Sequence, residues 1–346
     1  MKTLALGTLA ALSTAAAGQC ISLQNMQVSL DRWMYGFNST PGVEATASTF
    51  GAINQAGFDD RDAQIMLGWE TGSVIRPGAP SYDIRSGRVT IYSSVSDRFF
   101  YDPTPDSVVS LFDTADPEYV ADADPGRPVE LYGVGYRNGM SATTFGETSA
   151  FAPLPPFPPQ EGVRSAFAAV FDGTGNATDI SRQVRQRFES TPMAIGRIAG
   201  FIGGERPVAG TAMTFDVDLS DAATREYISR GLREGKLRFM VTSLEPASGG
   251  PGGGTGSPTY PAFYMRENVI SPAYTATLDL EVTAMAEFDM NQDGNLDQDD
   301  LHYLVNVVGG GDNPTGADPD LNFDGNVDQD DYALMVHVLA GGSACP

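Results

Sequence analysis

The feature that most constrains this chain is an acidic dodecamer pattern that occurs twice near its end, first from Asp289 to Asp300 and then from Asp320 to Asp331. Asp289, Asn291, Asp293, Asp297 and Asp300 place side-chain oxygens at positions 1, 3, 5, 9 and 12. Asp320, Asn322, Asp324, Asp328 and Asp331 repeat them at a constant offset of 31 residues. Position 6 is Gly294 or Gly325, position 7 Asn295 or Asn326, and position 8 an apolar Leu296 or Val327. Alternation at positions 1, 3 and 5 lets a tightly curling loop turn three oxygens inward. Glycine permits the bend, and residue 7 adds a main-chain carbonyl. Six or seven oxygens around one point suit a hard cation, so the pattern predicts two calcium ions. Leu296 and Val327 are expected to point away from the metal and pair the loops through a short apolar contact.

The flanks narrow the reading. After the first loop, Leu301, Leu304, Val305 and Val308 recur at helical spacing; Tyr332, Met335, Val336 and Leu339 repeat this after the second. Each set predicts a helix with one apolar stripe, ended by Gly309–Gly311 and Gly341–Gly342. Pro314, Gly316 and Pro319 leave no room for a helix entering the second loop. An ordinary EF-hand has that helix, and Glu at position 12.

In these respects residues 287–339 resemble the type I dockerin repeat, with two loop-helix calcium motifs, Asp at position 12 and internal pseudo-twofold symmetry. The resemblance implies a small, noncatalytic α domain that folds around calcium in a secreted bacterial protein. It also implies a cohesin-like partner, faced by positions 10 and 11 of each loop: Gln298, Asp299, Gln329 and Asp330. The closing Gly-Gly-Ser-Ala-Cys-Pro resembles the Gly…Cys endings of dockerin-anchored surface proteins, which implies a cell-surface anchor as the other possibility.

Charge agrees with a cation-binding tail. The net charge is −23, and residues 281–346 hold fourteen acids with no Lys or Arg. Their mutual repulsion predicts a segment that loosens without calcium, and it argues against nucleic acid or an anionic membrane surface as partner. At the other end, Lys2, the apolar run Leu4–Leu12 and Ala15–Ala17 read as a secretory signal peptide covering residues 1–18, too short to span a membrane. Secretion and a calcium-dependent tail fit together. The two cysteines, Cys20 and Cys345, bracket the mature chain. In an oxidising compartment they either pair as a disulfide or leave Cys345 as an attachment point. The expected layout is a signal peptide at 1–18, a β domain at 19–285, a dockerin-like domain at 286–342 and a Cys-containing tail at 343–346.

Residues 19–285 are rich in Gly, Pro, Ser, Thr and aromatics, with short alternating runs between turn residues. Strands are expected at 63–69, 82–94, 128–136, 164–172, 194–201, 212–219, 236–243, 260–266 and 275–282, and helices at 179–188 and 221–234. Many strands with few helices predict a mainly β, antiparallel β-sandwich. It forms one domain or two sub-sandwiches split near 152–160, where Pro153–Pro159 reads as a linker or a surface excursion. The order Ala63–Trp69, Ile75–Gly78, Tyr82, Gly87–Tyr92, Phe215–Leu219 and Leu232–Phe239 resembles jelly-roll modules that accompany polysaccharide-degrading enzymes, which implies sugar binding. On a strand, the run Phe99-Phe100-Tyr101 would place at least one ring outward unless both faces are covered; Trp33, Tyr35 and Tyr264 are further stacking candidates.

Catalysis has little to work with. Both histidines, His302 and His337, lie in the tail and read as helix-surface residues, which removes a Ser-His-Asp triad, a Cys-His pair and a His-ligated zinc from the β domain. A carboxylate-pair glycoside hydrolase carrying a dockerin stays open as the alternative to a noncatalytic polysaccharide-binding component, although Asp59, Asp60 and Glu70 read as surface turns and no spacing singles out a pair.

Overall fold

A computed structural model describes residues 22–153, 161–247, 258–270 and 272–342. In chain order its elements are β1 (Ser22–Gln27), β2 (Leu30–Met34), β3 (Thr46–Ser48), β4 (Phe50–Gly51), β5 (Arg61–Trp69), β6 (Ser81–Tyr92), β7 (Val129–Tyr136), β8 (Ala166–Phe171) and β9 (Ala177–Asp179). Then follow α1 (Gln183–Gln186), β10 (Ala194–Ile195), β11 (Ala212–Asp216), α2 (Ala222–Arg233), β12 (Leu237–Ser243), β13 (Ala262–Tyr264), β14 (Thr277–Met285), α3 (Gln298–Val308) and α4 (Gln329–Leu339). Two compact units result. The larger takes in Leu23–Gly78 and Ile84–Val282; of the described residues, the smaller takes in Ser22, Ala79–Asp83 and the stretch from Thr283 onward. The signal-peptide reading, Cys20, Cys345 and residues 154–160, which include all of the proline run after Pro153, lie outside the described residues.

The larger unit is mainly β. One sheet has the order β1-β14-β6-β11 and a second runs β2-β5-β12-β7-β8-β9, with β4 and β10 pairing beside it. Pairings such as β5–β12, β12–β7 and β6–β11 are antiparallel. Burial explains why these segments are strands. In β6, Gly87, Val89 and Ile91 are buried while Arg88 is exposed, the period-2 pattern of a sheet with one covered face. β5, β7 and β12 are buried along nearly their whole length, as strands covered on both faces must be. The arrangement is consistent with a sandwich. Strands β7 and β8 flank the proline run and pair directly, Val134 opposite Ala168, so both flanks contribute to one sheet.

A strand falls in each of the nine expected segments, but one of these strands and one expected helix shrink sharply. The helix expected at 179–188 is the single turn α1, because Asp179 closes β9 against β8 and Arg187, at φ 55°, turns left-handed and ends it. The strand expected at 194–201 keeps only Ala194–Ile195. The expectation also omitted β1 to β4 and β9. β2 reads Leu-Asp-Arg-Trp-Met, and its two charged residues, Asp31 and Arg32, are buried.

The smaller unit packs around twofold-equivalent residues. Ala286 and Ala317, Met290 and Leu321, and Leu304 and Met335 are all buried in one cluster, each pair separated by the loop repeat of 31. Position 2 of each loop is thus a core residue, which the metal pattern did not reveal. The apolar stripes also need correction. Leu304, Met335 and Val338 are buried, whereas Val305, Val308, Tyr332 and Val336 are exposed. Leu296 packs against the core while Val327 is exposed, so position 8 does not form the symmetrical contact expected of it.

Candidate metal centre

Both acidic dodecamers fold into the same hydrogen-bonded loop. Asp289 accepts the amides of Asp293 (3.1 Å) and Gly294 (2.9 Å) on its two oxygens; Asp320 does the same with Asp324 and Gly325, both at 3.0 Å. The position-5 carboxylates of Asp293 and Asp324 accept the amides of Asn295 and Asn326 at 2.8 Å. Those donors hold both carboxyls below their ordinary range. Gly294 and Gly325 lie at φ 87° and 89°, where a side chain would be strained. Position 4, Gln292 and Phe323, is left-handed in both loops as well (φ 58° and 61°). No composition signal foretells this, since neither Gly nor Asn stands there.

Position 12 closes each loop. Asp300 is fully buried; its Oδ1 accepts the Asn291 amide (3.2 Å) and its Oδ2 the Asp297 amide (2.9 Å). Asp331 takes the Leu321 (2.7 Å), Asn322 (3.1 Å) and Asp328 (2.9 Å) amides. Asp297 and Asp328 in turn cap α3 and α4, each with a reciprocal capping box. Burial raises the Asp300 carboxyl above its usual range.

The donor set fits a hard divalent cation. Every side chain at positions 1, 3, 5, 9 and 12 offers oxygen, without sulfur or imidazole, which suits calcium over zinc or copper. A carboxylate has about four acceptor sites, so the amide bonds leave lone pairs for a metal. Gln298, Asp299, Gln329 and Asp330 are exposed on the first turns of α3 and α4. His302 and His337 are exposed on the same helices.

The larger unit holds acidic groups that sequence reasoning missed. Asp31, Glu147 and Glu267 bring carboxylate oxygens within 4.8 Å of one another, as do Asp102, Asp106, Asp122 and Asp124. In the first group Arg266 supplies positive charge, its Nε on Glu147 at 2.8 Å and its amide on Asp31 at 2.6 Å; burial pushes the Asp31 carboxyl up to about 8. Asp59 and Asp60, expected on surface turns, are wholly buried. Asp59 pairs with Arg164 (2.8 Å) and Asp60 with Arg185 (2.9 Å), tying separate segments of the unit together. Glu70 is exposed, as a surface turn requires, and pairs with Arg238.

The aromatic candidates divide. Phe99 and Tyr101 are buried and Phe100 faces out, with the Arg206 guanidinium 4.3 Å from its ring centre. Trp33 stacks near Tyr35 (4.8 Å) and donates its indole N–H to Ser48 O (2.9 Å). Tyr264 stacks on Tyr274 at 5.1 Å, and Tyr274 lies 5.3 Å from Tyr92, giving a row of three half-buried rings. Tyr92 and Tyr274 were not singled out, because the row forms only when β6 and the turn before β14 come together. A 410 Å³ hollow near α2 is lined by Phe171, Glu189, Asp218 and Asp221 among others. Its acids are engaged: Glu189 holds the Ser107 hydroxyl, Asp218 the Ser220 hydroxyl, and Asp221 caps α2.

No family model matches the chain, and no curated protein matches it. Among the described residues, no helix is long and apolar enough to cross a membrane.

Proposed function

We propose that this chain is a secreted, calcium-binding, dockerin-type protein: a noncatalytic part of an extracellular or cell-surface assembly whose jelly-roll-like β unit binds polysaccharide. The observation that carries the reading is the duplicated loop, in which Asp289–Asp300 and Asp320–Asp331 repeat the same carboxylate-to-amide bonds and the same helix caps. Asp289, Asn291, Asp293, Asp297 and Asp300, with the Asn295 carbonyl, would hold one calcium ion; Asp320, Asn322, Asp324, Asp328 and Asp331, with Asn326, would hold the second. The ion supplies the positive charge that a segment without Lys or Arg lacks. Exposed Gln298, Asp299, Gln329 and Asp330 then present matching faces to a cohesin-like domain, and Cys345 offers a surface anchor. For the β unit, the Tyr92-Tyr264-Tyr274 row supplies apolar ring faces of the kind on which a pyranose stacks.

The test is calorimetric titration of the full-length protein with calcium, alongside an Asp300→Asn/Asp331→Asn variant. Two loop equivalents, lost in the variant, are expected. Equal uptake by both proteins would overturn the reading. Retardation in polysaccharide gels checks sugar binding, and release of reducing ends would favour the hydrolase instead.

A further inference from the structure

We propose that the larger unit carries a divalent-cation site of its own, separate from the loops, in which Asp102, Asp106, Asp122 and Asp124 are the ligands and calcium is the ion. Each residue brings a carboxylate oxygen within 4.8 Å of the others, and an all-carboxylate set selects a hard cation. An independent observation points to a missing ligand. Asp102 Oδ2 and Asp106 Oδ1 are buried and have no hydrogen-bond partner among the described residues. Asp102 is 3% exposed and the Asp106 side chain 7%. Native proteins rarely leave such oxygens unsatisfied, because the desolvation is not repaid.

The neighbouring groups do not make up the deficit. Arg127 Nη1 reaches Asp106 Oδ2 (2.7 Å) and Asp122 Oδ2 (2.8 Å), so it leaves Asp106 Oδ1 untouched. Asp102 Oδ1 and Asp124 Oδ2 lie 2.7 and 2.9 Å from the same Thr104 hydroxyl, whose single proton serves one of them at a time. Of the four carboxylates, the guanidinium thus pairs with two, Asp106 and Asp122.

The backbone is stiff here. Asp102-Pro103-Thr104-Pro105-Asp106 and Asp124-Pro125 restrict φ on both sides of the group. Gly126, at φ 102°, lets the second segment approach so closely that a Cβ there would press on Phe100 O and Asp102. A preorganised cage loses little entropy on binding.

The experiment uses the full-length Asp300→Asn/Asp331→Asn variant, so that the loops are impaired, with calcium measured by equilibrium dialysis and terbium as a luminescent substitute. One equivalent should remain. Adding Asp124→Asn, or in a separate protein Asp122→Asn, should weaken its uptake at least tenfold. Asp124 is half-buried and accepts a hydrogen bond from the Thr104 hydroxyl, a contact that Asn can also accept, so the far-UV spectrum should be unchanged. An absent equivalent in the loop variant, or undiminished uptake after both added substitutions, would overturn the proposal. If the loops themselves bind nothing, wild type and loop variant will instead show the same single equivalent, so the two readings fail separately.

Discussion

At Asp300 a single side chain joins the loop entrance, through the Asn291 amide, to the start of α3, through the Asp297 amide. Neighbouring Asp299 is exposed on the first helical turn, with only His302 near its carboxylate, at 3.9 Å, among the described ion pairs. Asp300→Ala should therefore cost about 2 kcal/mol of stability in the smaller unit, and Asp299→Ala less than about 0.5 kcal/mol, read from urea melts in calcium. Gly294 gives a cleaner conformational test, since a Cβ there meets nothing within 4 Å. Gly294→Ala should cost about 1 kcal/mol through φ alone, and Gly294→Asn less, because Asn tolerates the left-handed region. Asp62 in β5 makes a prediction about pH. It is 3% exposed, its Oδ2 has no partner among the described residues, and burial, only partly offset by Arg164, lifts its carboxyl from 3.8 to about 6. The folded state then holds a proton that the unfolded chain has released. Stability from this group is present at low pH and declines as pH rises from about 4 to about 6, a loss of the order of 1–3 kcal/mol. Asp62→Asn should flatten that slope; an identical pH profile of melting temperature would contradict it.

Among the elements, α2 shows what sequence can encode unaided. Asp221 accepts the Thr224 amide at 2.9 Å, and Tyr227, Ile228 and Leu232 fall on one buried face. Asp221→Ala should lower stability by about 1 kcal/mol through loss of the cap, measurable by thermal unfolding. The same logic made the period-2 strands legible: β6 alternates in the sequence because one of its faces is covered. β2 was illegible because Asp31 and Arg32 become tolerable inside only once Glu147 and Arg266 arrive from distant segments. The buried pairs Asp59–Arg164 and Asp60–Arg185 escaped for that reason too, since a charge reads as surface until its partner is known. In the acidic loops the side-chain oxygens were legible as a local pattern. Their core partners, Met290 and Leu321, were not, because nothing local distinguishes an apolar residue that packs from one that merely spaces.

For the whole molecule, charge and topology predict unequal responses to chelation. The larger unit rests on interleaved strands and buried pairs, while the smaller packs a few apolar residues beneath a dense array of carboxylates. Removing calcium with EDTA at low salt should abolish the helical signal of α3 and α4 while the β signal persists. At free calcium a hundredfold above the dissociation constant, each occupied loop would regain roughly 2.7 kcal/mol. A single cooperative melt, indifferent to chelator, would contradict this. The capping boxes carry a last implication. Since the carboxylates that start each helix belong to the same ring of oxygens proposed to cage the ion, winding the helix and filling the cage become one act. A chain made this way would stay slack where calcium is scarce and stiffen on reaching a medium rich in it, reporting its own arrival.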